Sequence, residues 1–185
     1  VLSGLFLWGH YNVTSVTETV PVFTSSSTVS VAENQTYANS SVVTNTSGYS
    51  LVYRISGGDS SLFDINTSTG VASFKSTPNY ETKDSYNFIV TASNGESSAD
   101  QNLTINISNV NDAPLATFTG FSTSEDTNYI KNLTATDEDN NALNFTKLTN
   151  PSNGSVTVDS NGTFMYSPIV NYNGSDSFTY NVNDG

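Results

Sequence analysis

Tyr86-Asn87-Phe88-Ile89-Val90-Thr91-Ala92 and Leu103-Thr104-Ile105-Asn106-Ile107 decide how this chain folds. In the first stretch Tyr86, Phe88, Val90 and Ala92 alternate with Asn87, Ile89 and Thr91. In the second, Leu103, Ile105 and Ile107 alternate with Thr104 and Asn106. Successive side chains of an extended strand point to opposite faces, so a period of two buries one face and leaves the other to water. Working outward, the same reading predicts short strands over residues 28–31, 42–44, 51–55 and 71–74. Turn clusters separate them, among them Ser56-Gly57-Gly58-Asp59 and Asn66-Thr67-Ser68-Thr69-Gly70, each with a glycine that can take a positive φ. About seven short strands with turns at this spacing predict an antiparallel β-sandwich.

The pattern then begins again, over residues 129–135, 143–148, 156–158, 163–166 and 177–182, with Phe178, Tyr180 and Val182 on one face. Ser108-Asn109-Val110-Asn111-Asp112-Ala113-Pro114 divides the two halves. Pro114 fixes its own φ and biases Ala113 to extended backbone, which predicts a short, stiff joint. The expected fold class is therefore all-β: two tandem antiparallel Ig-like β-sandwich domains, over residues 21–110 and 111–185. Residues 1–20 read as the remnant of a preceding repeat or linker. Residues 1–8 are apolar, but a bilayer span needs about 20 residues and no basic flank marks a secretion signal. The second domain is expected to lack a strand after Asp184, leaving one sheet edge unpaired.

Composition excludes several function classes. Seventeen acidic residues against five basic ones give the 185-residue chain a formal charge of −12. Nucleic-acid binding, which needs a basic surface to displace counterions, is excluded by that balance, as is electrostatic attachment to anionic lipid. The absence of cysteine removes thiol catalysis, disulfides and thiolate zinc sites. The single histidine, His10, cannot build a histidine-rich metal centre, and it reads as exposed or merely packed. Ser, Thr and Asn form about two-fifths of the chain, yet ten Tyr and ten Phe are enough to build a core. The frequent Asn-x-Ser/Thr triplets are what such a composition yields by chance.

The carboxylates gather at strand ends. Glu33 closes the first strand, Glu81 precedes the Tyr86 strand and Asp112 lies in the joint. Asp137 and Asp139 follow the strand predicted over 129–135, and Asp184 follows the last strand. A lone strand-end carboxylate is ordinarily a solvated loop residue. Several converging on one joint would repel unless a hard divalent cation drew them together, and Ca²⁺ takes six to eight oxygens from carboxylates, amides and backbone carbonyls. Asp137 and Asp139 stand i, i+2 in one loop, which suits a cation better than the two facing acids of a glycosidase. No Gly-x-Ser-x-Gly nucleophile elbow is present.

Residues 21–114 resemble a bacterial-type cadherin repeat. The resemblance rests on Val31-Ala32-Glu33-Asn34, on Phe63-Asp64-Ile65-Asn66-Thr67-Ser68-Thr69-Gly70, on Asn79-Tyr80-Glu81 and on the linker Asn109-Val110-Asn111-Asp112-Ala113-Pro114. Residues 115–185 resemble the VCBS-type cadherin-like repeats of large bacterial adhesins. They do so through Ser124-Glu125-Asp126-Thr127, Ala135-Thr136-Asp137-Glu138-Asp139, Pro151-Ser152-Asn153-Gly154-Ser155-Val156 and residues 172–180. The resemblance implies a Greek-key topology and a calcium joint. Glu33 and Glu81 would come from the first domain, with Asn79 nearby. Asn109, Asp112 and the carbonyl of Asn111 would come from the linker, and Asp137, Asp139 and Asp184 from the second domain, with Asn141 a further donor.

Asn79 and Asn109 stand where the family usually has aspartate, so weaker binding or fewer ions than the family's three is expected. At the opposite end of the first domain, Asn45-Thr46-Ser47 and Asn94 replace family aspartates. Ser15-Val16-Thr17-Glu18-Thr19-Val20-Pro21 also lacks the linker's Asn-Asp core. A calcium-poor joint is expected there. Trp8 lies too far ahead of the repeat to act as a strand-swapping tryptophan.

The function implied is that of a calcium-rigidified repeat in an extracellular or outer-membrane-anchored adhesin, without catalysis. Its partners would be calcium, neighbouring repeats of the same chain and a cell-surface protein or glycan. Homophilic cell adhesion is one version of that reading. A carbohydrate-binding or enzyme-appended β-sandwich module is the alternative.

Overall fold

Alternation at period two becomes two layers of β-sheet in a computed structural model that describes residues 19–185. The expectations for His10, Trp8 and most of the segment 1–20 lie outside the described residues. The chain divides into two compact units, one ending at Ser108 and the other beginning at Asn109.

The first unit contains β1 (Val22–Phe23), β2 (Thr28–Ala32), β3 (Tyr37–Ser40), β4 (Val43–Thr44), β5 (Val52–Ser56), β6 (Phe63–Ile65), β7 (Val71–Phe74), β8 (Ser85–Ser93) and β9 (Ser98–Ser108). One turn of 3₁₀ helix, Ser60–Leu62, precedes β6. A four-stranded sheet in the order β2-β9-β8-β5 faces a three-stranded sheet in the order β3-β7-β6, and β1 pairs with β4. The alternation in β8 and β9 is realised as read: Tyr86, Phe88, Val90, Ala92, Leu103, Ile105 and Ile107 are all buried. Against them β6 and β7 set Phe63 and Phe74, whose ring centroids lie 4.5 Å apart, and Phe63 meets Phe88 at the same distance. Burial of each such side chain stabilises the unit by roughly 1.5–3 kcal/mol.

One pairing departs from the antiparallel expectation, since β2 runs parallel to β9, from Thr28↔Thr104 to Ala32↔Ser108. Alternation fixes which face is buried but not strand direction. The chain reaches this position by crossing from β1 to the other sheet. The crossing is pinned where Gln101 Nε2 donates to the Ser25 carbonyl (3.0 Å) and Thr28 N–H donates to Ser26 Oγ (3.1 Å).

The turn between β6 and β7 follows the sequence reading. Asn66 Oδ1 accepts the N–H groups of Ser68 and Thr69, both at 3.0 Å. Gly70 takes φ +70°, and a Cβ there would stand 2.8 Å from the Tyr53 ring. Gly70→Ala should therefore cost about 1–3 kcal/mol, read as a lower urea midpoint for the first unit; an unchanged midpoint would refute the assignment.

The second unit contains β10 (Leu115–Ala116), β11 (Tyr129–Asn132), β12 (Ala135–Thr136), β13 (Asn144–Lys147), β14 (Gly154–Val158), β15 (Thr163–Pro168) and β16 (Tyr180–Asn183). They form sheets ordered β11-β15-β14, β13-β16 and β10-β12. Phe164 is fully buried at the centre, with Leu133, Phe145, Val156 and Tyr166.

Two predicted strands are shorter than the alternation suggested. Residues 129–135 break at Leu133, whose side chain turns inward and whose N–H donates to the Gly162 carbonyl (2.8 Å). The chain there changes partner from β15 to β10. Residues 177–179 stay outside β16 because side chains replace the ladder: Thr179 N–H donates to Thr149 Oγ1 (2.8 Å) and Ser177 N–H to Asp176. Phe178, Tyr180 and Val182 still share one face, packed on the Phe164 cluster.

Candidate metal centre

In the first unit the acidic end is built from the strand-to-loop exit of β2 and the turn before β8. Glu33 N–H donates to the Ser108 carbonyl (3.2 Å), which prolongs the β2–β9 pairing by one residue. Asn34 then takes the left-handed conformation, φ +61°, which asparagine tolerates better than most residues. That reversal leaves the Glu33 side chain only 3% exposed, with Oε2 accepting the Tyr80 N–H at 2.8 Å. A capped turn supports the neighbouring segment: Asn79 Oδ1 accepts the Thr82 N–H (2.8 Å), and the Asn79 carbonyl accepts the Lys83 N–H (3.0 Å). The turn presents Glu81 so that one of its carboxylate oxygens lies within 4.8 Å of one from Glu33.

Two carboxylates this close raise each other's electrostatic energy, the more so because one is buried. Nearby, Lys83 pairs with Asp59 and stands 4.8 Å from the centre of the Tyr86 ring. The Lys83 hydrogen bond, helped by the Asn87 N–H, holds the Asp59 carboxyl below its ordinary pKa despite partial burial.

The second unit gathers the remaining predicted residues. Asp112 N–H donates to Asp139 Oδ2 (2.7 Å), and Asn111 Nδ2 donates to Asp184 Oδ2 (2.6 Å). Asn141 donates through Nδ2 to Asn111 Oδ1 (2.7 Å) and through its N–H to Asp137 Oδ1 (2.9 Å). The linker residues Asn111 and Asp112 are thus tied to the 137–141 loop and to the end of β16. Asn140, at φ +59°, turns that loop. Asn109 is exposed at the unit's start.

Among the described residues one carboxylate oxygen stands apart. Asp137 Oδ2 is buried and has no hydrogen-bond partner. An acceptor removed from water without a partner costs about 1–3 kcal/mol, more when ionised. The same loop, the linker and the end of β16 carry the carboxylates of Asp139 and Asp184 and the amides of Asn111 and Asn141, the hard oxygen ligands that a calcium ion takes. The residues present therefore fit such an ion.

Asn45, Ser47 and Asn94 are occupied differently. Asn45 Nδ2 donates to the Tyr49 carbonyl (2.6 Å), while its Oδ1 accepts from Ser47 Oγ (2.6 Å). Asn94 is 5% exposed; its Nδ2 donates to the Thr19 carbonyl (2.9 Å), and its Oδ1 accepts the N–H groups of Glu96 and Ser97 at 3.1 and 2.8 Å. An amide can donate and accept at once, whereas a carboxylate could not make the contact to Thr19.

Sequence reasoning gave no role to Asp176, although it sits in a quoted motif. Its carboxylate accepts the N–H groups of Ser152, Asn153 and Ser177, each at 2.9 Å, and the Tyr166 hydroxyl at 3.0 Å. Partial burial pushes its pKa upward, but the backbone donors and Tyr166 outweigh that and hold it below the ordinary value. Burial, with the Asp176 hydrogen bond, raises the Tyr166 hydroxyl, which stays a donor. The only signal in sequence was an acid near Tyr172-Asn173-Gly174; two of its partners, Ser152 and Asn153, lie more than twenty positions away.

Residues 111–185 match the model of the bacterial Ig domain family. No curated protein sequence matches the chain. Among solved structures, the first two cadherin domains (EC1-2) of human protocadherin-24 align with TM-score 0.65 at 19% identity, covering 86% of this chain and 85% of that one. Drosophila N-cadherin EC1-4 aligns with TM-score 0.55 at 19% identity, covering 90% of this chain and 48% of that one. The expected cadherin-like, Ig-like β-sandwich repeat is therefore the fold of this chain.

Proposed function

We propose that this chain is a calcium-binding spacer repeat of an extracellular adhesin, with its second unit of the VCBS type. The buried, unpartnered Asp137 Oδ2, in the loop whose Asp139 and Asn141 are hydrogen-bonded to the linker, carries the reading. Asp137, Asp139, Asp184 and the oxygens of Asn111 would hold calcium from the second unit, Glu33 and Glu81 from the first, and Asn109 and Asp112 from the linker. The ion supplies charge neutralisation and a fixed coordination shell. In its absence, clustered carboxylates repel and the linker is free to bend; in its presence, oxygens from both units share one set of constraints. Nothing in this scheme calls for catalysis. Among the described residues no helix is long and apolar enough to cross a membrane.

Titration calorimetry tests the proposal. Extracellular modules bind calcium at about 10⁻⁴–10⁻³ M, and asparagine at positions 79 and 109 argues for weaker binding or for fewer than three ions. An absence of calcium-dependent heat would end the proposal, and three tight sites would end the claim of weakness. Scattering with and without chelator, at several protein concentrations, separates a spacer from a homophilic adhesion domain. The spacer changes shape at constant mass, whereas the adhesion domain forms calcium-dependent dimers.

A further inference from the structure

Four asparagines in the chain are followed by glycine, at 94–95, 153–154, 161–162 and 173–174. Asparagine is among the chemically labile residues. It loses its amide without any enzyme when the next backbone nitrogen reaches its own Cγ. Glycine favours that closure, because no Cβ hinders the nitrogen and the backbone turns freely. The closure also needs a side chain free to swing, a peptide free to rotate and a nitrogen not already donating. Folding denies those conditions to three of the four pairs.

Asn94 is 5% exposed, and its side chain holds the Thr19 carbonyl and the N–H groups of Glu96 and Ser97. The nitrogen that would attack it, Gly95 N, donates to Ser93 Oγ (3.2 Å). At the second pair the Asn153 carbonyl accepts the Ile169 N–H (3.0 Å), and the Asn153 N–H donates to Asp176 (2.9 Å). Gly154 pairs with Pro168 across β14 and β15, so the intervening peptide cannot rotate without opening the sheet. At the third, Gly162 N donates to the Asp159 carbonyl (2.9 Å) while Asn161 Oδ1 accepts the Thr163 N–H (3.0 Å).

Asn173 and Gly174 carry none of these restraints. Both are exposed. Among the described residues neither the Asn173 amide nor the Gly174 N–H has a hydrogen-bond partner. The loop is fixed from its ends instead, where Tyr172 N–H donates to the Ile169 carbonyl (3.1 Å) and Tyr172 Oη to the Ser175 carbonyl (2.7 Å). A Cβ on residue 174 would stand 2.8 Å from Tyr172 Oη. The packing that closes the loop therefore also demands glycine at the labile position.

We infer that Asn173 is a site of spontaneous deamidation, where the folded chain acquires a new carboxylate. Gly174 N gives its proton to water and attacks Asn173 Cγ. The N–Cγ bond forms, the Cγ–Nδ2 bond breaks, and Nδ2 departs as ammonia with a proton from water. A second water then opens the five-membered imide. Cleavage at Cγ yields aspartate; cleavage at the Asn173 carbonyl carbon yields isoaspartate, with a main chain one methylene longer. Either product adds a negative charge to the loop that already carries Asp176. Isoaspartate also lengthens the span that the Tyr172–Ser175 bond closes, so it disturbs the turn where aspartate only charges it.

The test incubates the whole chain in neutral buffer at physiological temperature and follows each pair by peptide mapping with mass spectrometry. A parallel sample is kept in urea. In the folded chain Asn173 should convert at least about tenfold faster than Asn94, Asn153 or Asn161, whose hydrogen bonds must break first. In urea that gap should close, because the restraints are gone and all four pairs share one chemistry. Isoaspartyl methyltransferase should label the aged native chain well above an aged Asn173→Gln variant. Equal rates at the four pairs in the folded chain overturn the inference, as does a faster rate at any of the other three. A lead of the same size in urea overturns it as well, since local sequence alone then sets the order. So does an Asn173 that stays intact.

Discussion

Asp137→Asn will abolish most of the stabilisation that calcium gives the second unit, while leaving that unit's stability in chelator unchanged to within about 0.5 kcal/mol. The reasoning starts from the side chain's two oxygens. Oδ1 accepts the Asn141 N–H at 2.9 Å, and the amide oxygen of asparagine can keep that bond. Oδ2 is buried with no partner, so without the ion its negative charge gains no hydrogen bond there, and its loss removes none. With the ion, the same oxygen is a ligand. A ligand at a hundred times its dissociation constant stabilises the native state by about 2.7 kcal/mol, or roughly 10–20 °C in the midpoint of a unit this size. Melting curves of the native chain and the variant, each with calcium and with chelator, decide the matter. A variant equally weakened under both conditions would show that Asp137 is structural and that the metal reading is wrong.

Asp176→Ala is expected to destabilise the second unit by about 3 kcal/mol, with or without calcium. Three backbone N–H groups and the Tyr166 hydroxyl lose their common acceptor, and unsatisfied donors cost about 1–3 kcal/mol each where water cannot replace the acceptor. Partial exposure of the loop lets water recover some of them. The same residue gives the unit an acid sensitivity of definite sign. Its folded pKa is depressed, so its contribution is complete above the unfolded carboxyl value near 3.9. The contribution is lost as pH falls through the lower folded value. Acid titration of the second unit should be shallower in Asp176→Asn than in the native chain below about pH 4. Identical acid slopes would remove Asp176 from the account. Asp59 acts in the same direction within the first unit, through Lys83.

What could be read in advance follows from what local sequence encodes. Burial alternates with period two, so the faces of Tyr86–Ala92 and Leu103–Ile107 were legible residue by residue, and Asn66 with Gly70 announced the turn between β6 and β7. Strand direction has no such signature: nothing in Thr28-Val29-Ser30-Val31 distinguishes a parallel partner from an antiparallel one. The break at Leu133 was hidden because leucine continues the alternation while its N–H goes to Gly162. At the candidate site, residue types and order singled out the carboxylates as candidates, and hydrogen bonds tie Asp112 to Asp139 and Asn111 to Asp184 and Asn141. The isolation of Asp137 Oδ2 could not be read, since it depends on which oxygen the Asn141 N–H takes. Asp176 was missed because two of its donors lie in the 152–153 turn, far from it in sequence.

The parallel pairing of β2 with β9 has a mechanical consequence. The second strand of the first unit, reached through the short β1, and the strand by which the chain leaves lie side by side and point the same way, in register over five residue pairs. Tension applied between the two ends of this unit pulls β2 backward and β9 forward along a common line. Their hydrogen bonds are therefore loaded together in shear and cannot open one after another like a zip. A repeat wired in this way resists extension through its backbone ladder alone, with any bound ion left to set direction and the ladder to bear the load.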